Sequence, residues 1–212
     1  FREAVQTANT DSAFGGCLRS GSAGGTDTIL LPGGTVLRNK VYRITRSGTD
    51  DTNVTGDFDI NAGLIISATG AVAPKLSGND LINERVLHLL GGSVTLQHIV
   101  VTDGLADGAE NGGGILIDPG VTAVLNDSFV QDNRTGKFGG GIFNQGTLTL
   151  NDTIVQRNSS PRGGGGIVNG DSGILTLAQS SVQDNSASGV SSVGGGGISG
   201  AGVMTMTDMS LC

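Results

Sequence analysis

The feature that most constrains this chain is an internal repeat that fills its second half. A nine-residue segment that begins with Leu and ends with Asn occurs three times without a gap, at 125–133, 150–158 and 177–185. A weaker copy starts at Leu96 and a shortened one at Met206, so the period varies between 25 and 29 residues. Periods of this length are typical of solenoids, propellers and other repeat arrays.

Alternating residues within each unit identify the kind of repeat. Leu148 and Leu150 flank Thr149, and Leu175 and Leu177 flank Thr176. This two-residue period indicates strands with one buried face, and no long 3.6-residue stripe indicates paired helices. A leucine-rich repeat needs a helical return segment, and a propeller needs about 40 residues per blade. The sequence therefore predicts an all-β parallel β-helix, in which each repeat forms one coil.

In-register stacking predicts rows of equivalent side chains along the helix axis. We expect two apolar rows that point inward and one Asn row at a turn, where Asn tolerates a left-handed backbone and bonds to its copies. The predicted rows are Leu125, Leu150, Leu177 and Met206; Val101, Val130, Val155, Val182 and Leu211; and Asn133, Asn158 and Asn185.

Glycine runs at 112–114, 139–141, 163–166 and 194–197 recur once per repeat. They match neither nucleotide-binding glycine pattern, because the required spacing, Lys and following helix are missing. We interpret them as corners, where glycine allows positive φ and close approach of stacked backbones.

The rest of the chain predicts a single domain in three parts. Residues 1–27 form a cap and linker, and 1–9 form an amphipathic helix with Phe1, Ala4, Val5 and Ala8 on one face. Residues 28–90 form irregular early coils, and 91–212 form the regular repeats. A helix at the first coil would cover the open end of the solenoid.

The order of several motifs resembles one bacterial family over nearly the whole chain. The motifs are the opening Phe-Arg-Glu-Ala-Val, then Ala-Asn at 8–9, Gly-Cys at 16–17, Asp-Thr-Ile-Leu-Leu-Pro-Gly at 27–33, Gly-Asp-Phe-Asp-Ile at 56–60, and the Gly-Gly-Gly-Ile repeats. This order resembles secreted or surface proteins with a CSLREA domain followed by right-handed parallel β-helix repeats. The repeats also resemble those of chlamydial polymorphic outer-membrane adhesins. The resemblance implies a right-handed, surface-displayed β-helix and no particular activity.

The two cysteines, Cys17 and Cys212, are expected at opposite ends of the solenoid. A separation of roughly 30 Å would exceed the Cα spacing of a disulfide, so we expect no bond between them. The family resemblance implies that Cys17 pairs with an opening Cys absent before Phe1, while a free thiol stays open as the alternative. Cys212 falls within an expected strand, so we expect the chain to belong to a longer parent protein.

Charge and composition narrow the function classes. A net charge of -7 disfavours nucleic-acid binding, and 3% aromatic residues offer few stacking platforms. Parallel β-helices also host polysaccharide lyases and glycoside hydrolases. The candidates for such an enzyme are Asp127, Asp152 and Asp208, which share one stacked position broken by Gln179. Arg134, Arg157 and Arg162 lie nearby in sequence. We assign no catalytic residue and treat this Asp row as an alternative polar site.

Metal binding is a second alternative. Asp50, Asp51, Asp57 and Asp59 form an acidic cluster that could hold calcium, although no known calcium-loop motif is present. His88 and His98 are expected at the surface without a set of partner ligands. We assign no metal ligand and no cofactor.

The sequence thus predicts a non-catalytic structural or adhesive module, secreted or displayed at the cell surface. Outward-facing Phe129 and Ile154 would form an apolar stripe suited to a partner. The expected partners are an extracellular protein or polysaccharide, or the rest of the parent chain. End-to-end self-association is a further expectation, and nucleic acid is excluded.

Overall fold

The chain folds as a parallel β-helix with one short N-terminal helix, which confirms the predicted fold class. The computed structural model describes residues 1–12, 25–35, 39–48, 51–80, 84–107, 110–189 and 195–208. Helix α1 spans Arg2–Thr10. The strands form four sheets, and every pairing between named strands is parallel.

Sheet 1 has seven strands, which are the longest of each coil. They are β1 (Asp27–Pro32), β4 (Leu64–Thr69), β7 (Ser93–Gln97), β11 (Thr122–Asn126), β15 (Thr147–Asn151), β19 (Ile174–Ala178) and β23 (Val203–Thr207).

Sheets 2 and 3 have six strands each. Sheet 2 comprises β3 (Phe58–Ile60), β6 (Leu87–Leu89), β10 (Ile115–Ile117), β14 (Ile142–Asn144), β18 (Ile167–Asn169) and β22 (Ile198–Gly200). Sheet 3 comprises β2 (Val41–Arg43), β5 (Lys75–Ser77), β8 (Val100–Thr102), β12 (Phe129–Gln131), β16 (Ile154–Gln156) and β20 (Ser181–Gln183).

Sheet 4 has four two-residue strands. They are β9 (Leu105–Ala106), β13 (Arg134–Thr135), β17 (Ser159–Ser160) and β21 (Ser186–Ala187).

The core is a stack of aliphatic side chains inside the coil. Leu125 pairs with Leu96 and Leu150, and Leu150 with Leu177, all fully buried. The Val row has the predicted register too, although Val182 near the far end is half-buried. Met206 continues the Leu row but is 41% exposed, while Leu211 lies outside the described residues. Each strand therefore gains its hydrophobic burial from the coils on both sides.

Helix α1 packs against the early coils rather than standing apart from them. Val5 and Ala8 are buried, and Phe1 packs edge-on against Phe58 with ring centroids 4.7 Å apart. The Arg2 guanidinium lies 4.9 Å from the Phe58 ring centroid and donates to the backbone oxygens of Thr55, Gly56 and Asp57. The helix thus both caps the core and fixes the loop before β3.

The glycine runs form the corner between sheets 4 and 2. Gly113, Gly114 and Gly141 donate backbone hydrogen bonds to the glycine carbonyls of the next coil. A Cβ atom at Gly140 would lie 2.4 Å from the carbonyl oxygens of Ser159 and Gly165. Only residues without a side chain can bring successive backbones this close.

The left-handed residue at the Asn turn differs from expectation. Asp132, Arg157 and Asp184 have φ values of 57°, 52° and 53°, so the left-handed position is the one before each Asn. This position directs the charged side chain outward and turns the following Asn side chain into the core.

Both cysteines lie outside the described residues.

Candidate functional site

The Asn row is a buried chain of amide hydrogen bonds. The side-chain oxygen of Asn158 accepts from both the backbone and side-chain nitrogens of Asn133, each at 3.0 Å. Asn185 repeats this arrangement with Asn158, and the Asn158 amide also donates to the Val130 carbonyl at 2.9 Å. Asn133 and Asn158 are 1% exposed and Asn185 is half-buried, so the first two members stabilise the core and offer no binding group to solvent.

Two further buried polar rows were not predicted from the sequence. Asn144 donates to Asn169 at 2.7 Å between sheets 2 and 1. Hydroxyl groups line the turn between sheets 1 and 3, where Ser128, Thr153 and Ser180 each accept from a backbone nitrogen of the preceding coil. The repeat places these residues at one period, which is the signal that could have revealed them.

The alternative polar site is an exposed turn rather than a pocket. Asp127, Asp152 and Asp208 are all exposed and occupy left-handed turn positions with φ of 45°, 47° and 51°. Asp127 forms a hydrogen bond with His98, whose Nδ1 lies 2.8 Å from Asp127 Oδ2. His98 is therefore half-buried in a surface pair. Among the described residues, these three Asp residues line neither the cleft beside His88 nor the cleft beside α1.

A different cluster gathers around His88 on the outer face of sheet 2. His88 Nδ1 lies 3.6 Å from Asp51 Oδ1 and 3.7 Å from Asp59 Oδ1, while Nε2 lies 3.3 Å from Asp118 Oδ1. Asp59 is fully buried and His88 is 8% exposed. Both ring nitrogens of His88 are buried, and neither makes a hydrogen bond. One atom each from Asp51, Asp59 and His88 can lie within 4.8 Å of the others.

The prediction that His88 lies at the surface is therefore wrong. Its side chain does point away from the Leu87 and Leu89 core side, as alternation requires. The loop carrying Asp51 and the turn at Asp118 cover it. Asp59 pairs with His88 in the parallel register, so aligning the early coils at a 29-residue offset would have brought these two residues together.

Among the described members of the proposed calcium cluster, Asp51 and Asp59 lie near His88. Asp57 instead pairs with Arg85 at 3.0 Å, and Arg85 also contacts Glu110. Burial raises the pKa of the Asp57 carboxyl, although Arg85 and His88 oppose that rise. Burial likewise raises the pKa of Glu84, whose Oε1 accepts from the Gly48 nitrogen at 3.2 Å. Asp50 lies outside the described residues.

The outer face of sheet 1, unlike the charged cluster around His88, is uncharged. No residue of β4, β7, β11, β15, β19 or β23 is charged, although 15% of the chain is. Its central outward row contains Ile65, Thr95, Val124, Thr149, Thr176 and Thr205, which are neighbours in the register. Hydroxyl, amide and aliphatic groups thus repeat at the strand spacing of about 4.8 Å. On sheet 3, Phe129 and Ile154 do stack outward and are half-buried.

Among the residues that the structure describes, no helix is long and apolar enough to cross a bilayer. Comparison with known proteins yields no matching family model, no matching curated protein and no matching solved structure.

Proposed function

We propose that this chain is a rigid, non-catalytic β-helix module of a secreted or surface-displayed bacterial protein, and that sheet 1 is its adhesive face. The charge-free outer surface of six successive strands carries this proposal. A partner that binds there does not have to desolvate ionised groups of this face. Desolvating a charge costs far more free energy than burying a neutral group. The resemblance of the repeats to those of surface adhesins supports the same function.

A regularly spaced, uncharged array of hydroxyl and aliphatic groups fits a partner that is itself repetitive. Thr149 and Thr176 present hydroxyl groups at equal spacing along the solenoid. An extracellular polysaccharide can accept and donate hydrogen bonds to such a row, and the aliphatic members of the row can contact its apolar faces. An extracellular protein is the second partner class that the uncharged face would accommodate.

Two of the clefts on the described surface are either small or poor in carboxylates. The cleft beside His88 has a volume of about 270 Å³, below the usual range of small-molecule sites. A larger cleft of about 500 Å³ lies between α1 and β2, and Glu3 is the one carboxylate among its described lining residues. A polysaccharide lyase or glycoside hydrolase, the alternative function, needs a chain-sized groove with at least one pair of facing groups.

The far end of the solenoid supplies a second contact surface in this proposal. Val203 and Met206 of β23 are 65% and 41% exposed. Further coils of a parent chain, or a second copy stacked end to end, would cover these apolar side chains.

The proposal is tested by binding and turnover on one panel of acidic and neutral polysaccharides. We expect retention of the chain by at least one immobilised polysaccharide and no new reducing ends or unsaturated products. Thr149→Lys combined with Thr176→Lys places two charges on sheet 1 and should abolish retention. Gln156→Lys combined with Gln183→Lys is the matched control, because it adds the same charges to half-buried outward positions of sheet 3 in the same two coils.

Equal loss of retention in both double variants would contradict an adhesive role for sheet 1. Product formation that disappears in Asp127→Asn or Asp152→Asn would overturn the non-catalytic proposal and establish a carbohydrate-active enzyme.

A further inference from the structure

We propose that Asp51, Asp59 and His88 bind one divalent transition-metal ion, for which Zn²⁺ is the probe. This site lies on sheet 2, away from the proposed adhesive face, and stands independently of that function. It also differs from the calcium cluster suggested by the sequence, because its central ligand is a histidine that the sequence analysis placed at the surface.

The spacing of the three groups fits an ion of this size. Zinc ligands lie about 2.0–2.2 Å from the metal, so neighbouring ligand atoms in a tetrahedral site are about 3.4 Å apart. His88 Nδ1 is 3.6 Å and 3.7 Å from the two carboxylate oxygens, too far for hydrogen bonds and close to the tetrahedral separation. Three protein ligands would leave one tetrahedral position for water.

The burial of His88 is the observation that distinguishes this site from an acidic surface patch. The side chain of His88 is 10% exposed, and both its ring nitrogens are buried without a hydrogen bond. A buried polar group that makes no hydrogen bond is destabilising. A metal ion at Nδ1 removes this cost at one nitrogen and offsets the repulsion between the two carboxylates.

Asp118 is placed to accept a hydrogen bond from the ring nitrogen of His88 that does not face the metal. Metal-bound histidines usually donate their second N–H to a carboxylate or carbonyl, which fixes the tautomer. Asp118 Oδ1 lies 3.3 Å from Nε2, on the far side of the ring from Asp51 and Asp59. With the proton on Nε2, the lone pair of Nδ1 faces the two carboxylates. Asp118 is thus a positioning residue.

The ligand types favour a transition metal over calcium. Calcium is bound by six to eight oxygen atoms, whereas imidazole nitrogen suits zinc and its first-row neighbours. Two carboxylates and one imidazole form a mixed set that zinc, cobalt and manganese accept. Among the described residues, the set gathered here has one nitrogen and two carboxylates, which supply fewer oxygens than the six to eight that calcium takes.

The surrounding structure holds Asp59 in place before any metal binds. Asp59 Oδ2 accepts from the Asn53 nitrogen at 3.1 Å, and Asn53 Oδ1 accepts from the Asp59 nitrogen at 3.3 Å. Asn53 in turn donates to the Arg2 carbonyl at 3.0 Å, and Asn9 donates to the Asp59 carbonyl. A ligand fixed in this way loses little conformational entropy on binding.

The test is calorimetric titration of the full chain with Zn²⁺ after treatment with a chelator. Cys17 and Cys212 are alkylated first, so that thiolates cannot contribute. We expect one equivalent to bind, His88→Gln to weaken the affinity at least 100-fold, and Asp118→Asn to weaken it about 10- to 100-fold. His98→Gln is the matched control, because His98 also contacts a carboxylate but has one such neighbour, Asp127. It should bind zinc as the parent does.

A second measurement keeps the proposal open to refutation if His88→Gln fails to fold. Co²⁺ bound to the parent should give the intense visible absorption of a four-coordinate ion, and Asp118→Asn should shift or weaken it. Absence of binding by Zn²⁺ and Co²⁺, equal affinity in the parent and His88→Gln, or tighter binding of Ca²⁺ than Zn²⁺ would each overturn the assignment.

Discussion

The early coils and the regular coils satisfy their buried polar groups in different ways. Between residues 121 and 189, the buried polar side chains are neutral, and the Asn133 and Asn144 rows bond to copies of themselves. Between residues 51 and 90, four titratable residues are buried: Asp57, Asp59, Glu84 and His88. These depend on particular partners from α1, the preceding loop and Arg85. In these two regions, the buried titratable residues therefore all belong to the early coils, where the candidate metal site lies.

The two regions should also respond differently to pH. The amide rows of the regular region stay uncharged over the whole pH range in which proteins are folded. Burial raises the pKa of Asp57 and Glu84, so the native state holds these protons to a higher pH than the unfolded chain does. Stability from this region consequently falls as pH rises from about 4 through the raised pKa values.

The largest expected effect comes from breaking the regular region at Asn158→Leu. This change leaves two Asn133 donors and the Val130 carbonyl without their partner in the core. We expect the free energy of unfolding to fall by about 3–4 kcal/mol, as measured by urea denaturation. Gln156→Leu, on the outer face of the same coil, should cost less than about 1 kcal/mol. Equal losses would show that the buried row has no special role.

An intermediate effect is expected from Arg2→Gln, which disturbs the early region alone. The change removes charged hydrogen bonds to the carbonyls of Thr55 and Asp57. We expect a loss of about 2 kcal/mol and faster amide hydrogen exchange over residues 53–60, without change over 121–183. Arg43→Gln, at an exposed position of β2, is the control. Faster exchange throughout the solenoid would mean that the two regions unfold as one unit.

The smallest effect concerns the buried carboxyl of Glu84. Glu84→Gln keeps an oxygen that can accept from Gly48 but removes the ionisation that burial opposes. At pH 7 the variant should melt about 2 °C above the parent, and the difference should vanish as pH falls towards about 4. Glu3→Gln controls for net charge. A variant that melts below the parent at pH 7 would show that the Glu84 charge stabilises the fold.

Much of the regular region could be predicted from the sequence. In a parallel in-register stack, each residue lies over its equivalent in the next coil, so the repeat alone defines the pairing of Leu125 with Leu150. The same logic predicted the Asn row, although it misplaced the left-handed residue by one position. Backbone φ at a turn depends on which side chain must enter the core, and the repeat does not encode that choice.

The sequence by itself determined the solenoid and its stacking, because every repeat carries the same pattern of apolar residues and therefore stacks in register on the next. Only the tertiary structure decided that His88 is buried and surrounded by carboxylates. Asp59 shares its register and was within reach of a sequence argument. Asp51 and Asp118 come from a loop and a turn outside the strand register. The loop before β3 is held by hydrogen bonds from Arg2 of the distant helix α1. Such paths are set by packing between distant segments, which no periodic pattern records.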